Sequence, residues 1–252
     1  MPLTSLSTQA RTRPEREELY FIADLAGEAG RHDDVVKQIK LIVDHFGPQL
    51  TTEERSLLSI AYKNLTNSLR NSWRIIDALH KVQSARKGPN LHLIQRQRQR
   101  IESELMGVCR DIVRLLDRDL VPAASAGEET VFYSKLKGDY CRYLAELGQK
   151  REKDRNADLS LKAYRTAYKH ALATLHPLHP TRLGLALNFS VFYHDIKQSP
   201  ERACHLAKSA LDDAVLSVDV SDPAMDQTLR DSMAILQLLK DDIILWAGEI
   251  RD

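Results

Sequence analysis

Basic residues recur at intervals of seven in two parts of this sequence. Lys63 precedes Arg70 by seven positions, and Lys135 precedes Arg142 by seven. Seven residues make about two turns of an α-helix, so each pair stacks on one side. Ser56 and Ser59 extend the side that carries Lys63. Asp139 stands three residues before Arg142, where it is expected to hold the guanidinium in place. Clustered cations on two helices suit a phosphate. Arginine presents a rigid fork to its oxygens, and each charge-assisted contact is worth roughly 1.5–3 kcal/mol. Without the anion the cations repel one another, which sharpens discrimination against an uncharged ligand. By spacing alone these residues read more readily as solvated helix faces, and that alternative stays open here.

Two later segments offer a different surface. One has a core stripe of Phe189, Phe192, Tyr193 and Ile196, and its other side shows Leu187, Asn188, Val191 and Asp195. In the last segment Ala234, Leu238, Asp242 and Leu245 form one line, followed by Trp246. If these faces and the cationic faces point into one groove, it has a basic wall and an apolar wall. Such a groove suits an extended peptide carrying a phosphate.

The elements that must position these residues are helices. The 10 Gly and 9 Pro sit between long segments that read at period 3.6, no Asn-Gly or Asp-Gly hairpin turn occurs, and no stretch alternates cleanly. The expectation is an all-α fold of about nine antiparallel helices, forming a concave superhelical bundle with an amphipathic groove. The expected helices span roughly 15–29, 33–45, 51–87, 91–120, 128–148, 157–175, 181–198, 200–219 and 223–249. Leu58, Tyr62, Leu65, Leu69, Trp73 and Ile76 form the core stripe of the third. Residues 1–14, rich in Ser, Thr and Arg with no acid before Glu15, read as a disordered lead, or less readily as a short targeting segment. Residues 15–252 read as a single helical domain.

Bulk properties exclude several classes. With 36 Lys and Arg against 35 Asp and Glu, the chain is no polyanion-coating protein. No apolar run approaches the roughly 20 residues of a membrane span. Cys109, Cys141 and Cys204, odd in number and widely spaced, make no disulfide framework and fit a reducing, cytoplasmic setting.

The words around these residues carry a resemblance. Residues 55–64, RSLLSIAYKN, followed by RNSWR at 70–74, closely resemble the first signature of the 14-3-3 family. Residues 135–146, KLKGDYCRYLAE, look like its central motif. Residues 179–193, HPTRLGLALNFSVFY, and 237–246, QLLKDDIILW, resemble its later signatures, and the similarity runs in family order from about Glu15 to Trp246.

The resemblance implies an adapter that binds phosphoserine or phosphothreonine segments of client proteins, with no catalysis and no cofactor. Lys63, Arg70, Arg142 and Tyr143 match the family's phosphate pocket. Asn188 matches the amide that grips the ligand backbone. Leu187, Val191, Ile235, Leu238 and Leu245 match the apolar wall, and Lys135 and Trp246 match further groove residues. A dimer, with itself or another family member, is implied as well. Glu18, Leu25, Ala29, Arg31 and Asp34 match interface positions, as do Arg100 and Glu104 of the facing helix. Ser72 matches a serine at the dimer boundary, where a phosphate would place a dianion.

This chain departs from the family in its specificity wall. Asp242 stands where an asparagine usually clamps the peptide, and a carboxylate accepts hydrogen bonds without donating them. Asp195 replaces a glutamate and is expected to fall short of a partner near Trp246. Ala234 replaces a leucine and Leu69 an arginine. Gln97 replaces an interface tyrosine, and no strongly acidic tail precedes Asp252. These changes keep a rival reading in view: a helical scaffold that binds amphipathic segments without phosphate.

Other signals carry less. His176 and His179, bracketed by Pro177 and Pro180, lack a nearby third metal ligand and read as a structural loop. The arginines Arg96, Arg98 and Arg100 alternate with glutamines, which scatters them over a solvated surface rather than building a nucleic-acid face. The cysteines read as buried inert thiols, and Tyr20, Phe21, Tyr62 and Trp73 as core or staple residues. No glycine-rich phosphate loop, metal spacing or activated nucleophile points to an enzyme.

Overall fold

The computed structural model of the chain describes residues 15–86, 88–218 and 223–250, so the expected disordered lead at 1–14 lies outside the described residues. Among the described residues there is no strand. Nine main helices follow in order: α1 (Arg16–Glu28), α2 (His32–Phe46), α3 (Thr52–Arg86), α4 (Leu91–Leu115), α5 (Glu128–Glu146), α6 (Lys150–Thr174), α7 (Pro180–Asp195), α8 (Pro200–Leu216) and α9 (Pro223–Glu249). The chain divides into two compact units, residues 1–65 and 66–252.

In the first unit α1 buries Leu19, Ala23 and Ala26, spaced by four and three, and α2 buries Val35, Val36, Ile39, Ile42 and Val43. The two pack as a hairpin around Gly30, whose φ of +68° suits a residue without Cβ. The Thr-Thr-Glu-Glu run starts α3 through a reciprocal cap. The Thr51 amide donates to Glu54 Oε2 at 2.8 Å, and the Glu54 amide donates to Thr51 Oγ1 at 3.2 Å. Glu54 is buried and also accepts from Arg16 Nε at 2.8 Å, which ties the head of α1 to α3. Phe21 corrects the core reading: it is 67% exposed, and Ile22 and Leu25 beside it are exposed too. Its face of α1 lies opposite the Leu19, Ala23 and Ala26 stripe that meets α2.

In the second unit several boundaries differ from expectation, and three of them are instructive. The helix expected over 91–120 is regular only to Leu115. Leu116–Leu120 then form a wide π turn, in which the Val121 amide reaches Leu116 O, five residues back, before a short turn at Val121–Ala123. Pro122 has no amide to continue the ladder, and its ring would crowd the carbonyl four residues back. Helix α6 starts at Lys150 rather than 157. The stretch KREKDRN has no apolar period to reveal it, yet Lys, Arg and Glu are good helix formers. Helix α7 ends at Asp195, three residues early, ahead of the positive φ of Gln198. Arg98 is a further correction. Far from being merely solvated, it donates to Asp77 at 2.8 Å and joins α4 to α3.

Close approach of α5 and α6 depends on Gly138. A Cβ there would stand 2.6 Å from the ring of Tyr164, and the Gly138 carbonyl accepts from Ser160 Oγ at 2.9 Å. Tyr164, Ala167, Phe189 and Phe192 centre the core among α5, α6 and α7. A second core joins α7, α8 and α9 through Leu183, Ala207, Leu239 and Trp246. Ser232 of α9 donates to Leu178 O at 2.5 Å. His176 and His179 are turn residues. Their Nδ1 atoms accept from the amides of Leu178 at 3.3 Å and Thr181 at 3.2 Å, the latter capping α7 ahead of Pro180.

Candidate functional site

Within the second unit, Arg70 of α3 meets Arg142 and Tyr143 of α5. Both guanidiniums lie over the Tyr143 ring, at 4.0 Å and 4.7 Å from its centroid. Both also donate to one carboxylate: Arg70 Nη2 to Glu146 at 2.7 Å, and Arg142 Nη1 to Glu146 at 3.1 Å. A single acid therefore holds two cations side by side, leaving one excess positive charge. Arg70 Nε and Nη1 and Arg142 Nη2 have no protein acceptor among the described residues. Arginine offers five donors, so unused ones remain for an anion.

Arg142 is 5% exposed. Burial acts against its charge, but the phenols of Tyr164 and Tyr143 and the carboxylates of Asp139 and Glu146 outweigh it and hold the guanidinium charged more firmly than usual. Its Nε lies 3.4 Å from Tyr164 Oη. Burial, and then Asp139, push the Tyr164 phenol well above its usual range, so it serves as a neutral donor.

Asp139 does something other than what its spacing suggested. It makes no direct bond to Arg142. It accepts from Tyr164 Oη at 2.6 Å, from Asn188 Nδ2 at 2.8 Å and from Lys135 Nζ at 2.9 Å. The Arg142 fork reaches instead toward Glu146, one turn further along α5. One buried acid thus ties together Lys135 and Asn188, two residues singled out from the sequence on different helices. Lys63 is exposed on the part of α3 that belongs to the first unit.

The apolar wall is partly as expected. Leu238 and Leu245 are 52% and 60% exposed, and Leu187, Val191 and Ile235 are half-buried against the α7–α9 core. Trp246 departs from the expectation. It is 3% exposed and belongs to that core, where it supports the wall from behind. Its ring stacks on His194 at 5.2 Å. Asp195 also departs from its expectation, since it has a partner: His194 Nδ1 lies 2.7 Å from Asp195 Oδ1, and His194 Nε2 lies 2.7 Å from Glu249 Oε2. Asp242 is half-buried. Burial and the nearby Asp195 charge raise its carboxyl above the usual value, with His194 opposing.

Residues expected at a dimer interface lie mostly at the surface. Glu18 accepts from the Glu15 amide, and Leu25 and Ala29 are exposed. Asp34 pairs with Arg31 and with Lys37, and Arg100 pairs with Glu104 at 3.0 Å. Exposed Ser72 donates to Ser68 O at 3.0 Å.

Four participants were missed by sequence reasoning. Glu146 had a readable signal, since it stands four residues after Arg142. His194 was adjacent to a residue already singled out. Tyr164 and Glu249 had none, because their partners lie 25 and 55 residues away. No group of three or more potential metal ligands occurs among the described residues. Burial pushes the Cys109 and Cys141 thiols up to about 12, while Cys204 is half-buried. No described helix is long and apolar enough to cross a membrane.

A sequence model of the family described as 14-3-3 protein matches residues 22–247. The chain is 47% identical over 239 residues to 14-3-3 protein 9 of Solanum lycopersicum, covering 94% of this chain and 90% of that one. It is 46% identical over 239 residues to 14-3-3-like protein B of Vicia faba, with the same coverage. A 14-3-3-like protein of Chlamydomonas reinhardtii is 46% identical over 241 residues, covering 94% and 92%.

Proposed function

The chain belongs to the 14-3-3 family, and on that premise we propose that it is a phosphoserine- and phosphothreonine-binding adapter whose phosphate pocket is Arg70, Arg142, Tyr143 and Lys63. Family membership supports client binding, dimerisation and an adapter role rather than catalysis. The observation that carries the phosphate reading is the pair of guanidiniums held by Glu146 over the Tyr143 ring. A dianion meeting them gains charge-assisted bonds from groups already ordered, so little side-chain entropy is lost on binding. Lys63 enters through its family position, seven residues before Arg70 in α3.

Asn188, oriented by Asp139, grips the ligand backbone, and Lys135 adds positive charge beside it. Leu187, Val191, Ile235, Leu238 and Leu245 take the apolar side chains that flank the phosphate. Asp242 shifts specificity. Its carboxylate repels an anionic peptide and cannot donate to the backbone, which leaves Asn188 as the main clamp. Residues 15–252 act as one binding domain, in the cytoplasm, as a dimer with itself or another family member and with no membrane or nucleic-acid partner. Two sites per dimer raise the affinity for doubly phosphorylated clients through effective concentration.

The test is a titration with one phosphoserine peptide and its unphosphorylated twin, repeated with Arg70→Glu. Two charge-assisted contacts correspond to a preference of about 100-fold or more for the phosphorylated form, and the variant should erase it. Equal binding of both peptides by the unaltered chain would favour the phosphate-independent scaffold.

A further inference from the structure

A separate cleft of about 610 Å³ opens between α6, α7 and α8, lined by none of the residues assigned to phosphate or peptide. Its floor is aromatic. Tyr193 stacks on Phe189 at 4.8 Å with 27° between the rings, and Tyr168 meets Phe189 edge-on at 6.1 Å. Phe189 is 4% exposed, so Tyr168 and Tyr193, both half-buried, are the rings offered to a visitor. Leu172 and Leu206 close the apolar lining.

The rim has the opposite character. Arg165 and Lys169, one turn apart on α6, face Arg202 on α8, and all three are exposed. Glu201 is the single carboxylate in the lining. Among the described residues none of the three cations has a carboxylate partner within ion-pair distance. Arg182 of α7 is by contrast paired, donating to Leu175 O at 2.9 Å and to Asp213 at 3.1 Å.

An aromatic floor of this size under unpaired cations selects for charge and shape together. The volume falls in the range of about 300–1,000 Å³ that accommodates small organic ligands. Tyrosine faces favour flat rings, and a guanidinium–ammonium rim favours a carboxylate or sulfonate over a neutral polar group. We propose that this cleft is a binding site for a small planar aromatic acid, its ring against Tyr168 and Tyr193 and its acid group held by Lys169 and Arg202. The site is independent of the phosphate reading, because no residue is shared.

The full chain is titrated with the aromatic sulfonate 8-anilinonaphthalene-1-sulfonate, followed by fluorescence. Displacement is measured with 2-naphthoate and with its neutral counterpart 2-naphthylmethanol. The proposal expects one saturable site per chain, displaced by naphthoate at about tenfold lower concentration than by the alcohol. Lys169→Glu with Arg202→Glu should weaken the sulfonate about tenfold or more, and Arg70→Glu should leave it unchanged. Both positions are exposed, and circular dichroism checks the fold. Should the double reversal unfold the chain, Lys169→Gln and Arg202→Gln make the same comparison. Equal displacement by acid and alcohol, unaltered binding in the cleft variants, or loss of binding in Arg70→Glu would each overturn the assignment.

Discussion

Arg70 and Arg142, from helices separated in sequence by all of α4, donate to the same carboxylate of Glu146 at 2.7 Å and 3.1 Å. That shared acid keeps two like charges adjacent in the absence of an anion. Removing it should expose their repulsion. Glu146→Gln is expected to lower the unfolding free energy by about 2 kcal/mol, because the nearly buried Arg142 loses an ionic partner. Urea denaturation reads this directly, and an unchanged midpoint would show that the pair does not depend on Glu146.

Gly138 sets the distance between α5 and α6. Gly138→Ala would push a methyl group against Tyr164, whose ring lies 2.6 Å from the new Cβ position. The expected cost is about 1–3 kcal/mol, typical of overpacking. Tyr164→Phe should cost about 1 kcal/mol by removing one donor to buried Asp139 while leaving Lys135 and Asn188 in place. Thermal unfolding should rank Gly138→Ala as the more damaging change; the reverse order would place the strain elsewhere.

His194 makes part of the stability pH-dependent. Burial lowers its pKa, but hydrogen bonds to Asp195 and Glu249 more than compensate, and the net direction is upward from the ordinary 6.5. A raised folded value means that the contribution is complete below the unfolded pKa and is lost as pH rises through the folded one. The stability difference between the unaltered chain and His194→Gln should therefore be larger at about pH 5.5 than at about pH 8. A difference that grows with pH would reverse this assignment.

Asp242 has the same sign for a different reason. Its carboxyl is raised by burial first and then by Asp195, so its neutral form is favoured in the folded state and that benefit disappears as pH rises through its folded pKa. Asp242→Asn removes a half-buried charge at neutral pH and restores a donor. It should tighten a standard phosphoserine peptide about threefold to tenfold, the scale of one repulsive charge near the groove. Unchanged affinity by calorimetry would remove Asp242 from the specificity argument.

Leu25, 56% exposed beside exposed Phe21 and Ile22, gives α1 an apolar outer face. Leu25→Glu should shift the chain toward monomer in sedimentation equilibrium, and Ser72→Asp should do so more weakly through charge alone. A Leu25→Glu protein that still sediments as a tight dimer would locate the interface elsewhere.

The cationic residues were legible because helix periodicity is local: the spacing of seven survives in any helical fold. Their partners were less so. Asp139 lay at a spacing that suited Arg142, yet it serves Tyr164, Asn188 and Lys135, and only the approach of three helices determined that choice. Trp246 matched a groove position by motif, but the packing of α7 against α9 placed it in the core. Helix α6 began seven residues before its apolar pattern, since charged helix formers extend a helix without leaving a hydrophobic trace.

Breakers, caps and apolar periods by themselves determined that the chain is helical and where most helices start, because these depend on neighbours within one or two turns. The signature motifs likewise determined the family. Tertiary structure alone decided that Arg70 joins Arg142 on Glu146, which residue orients Asn188, and that an aromatic cleft opens behind Tyr193. Those contacts join residues tens of positions apart, and the free energy that selects among them comes from desolvation and packing between helices, which no local pattern encodes.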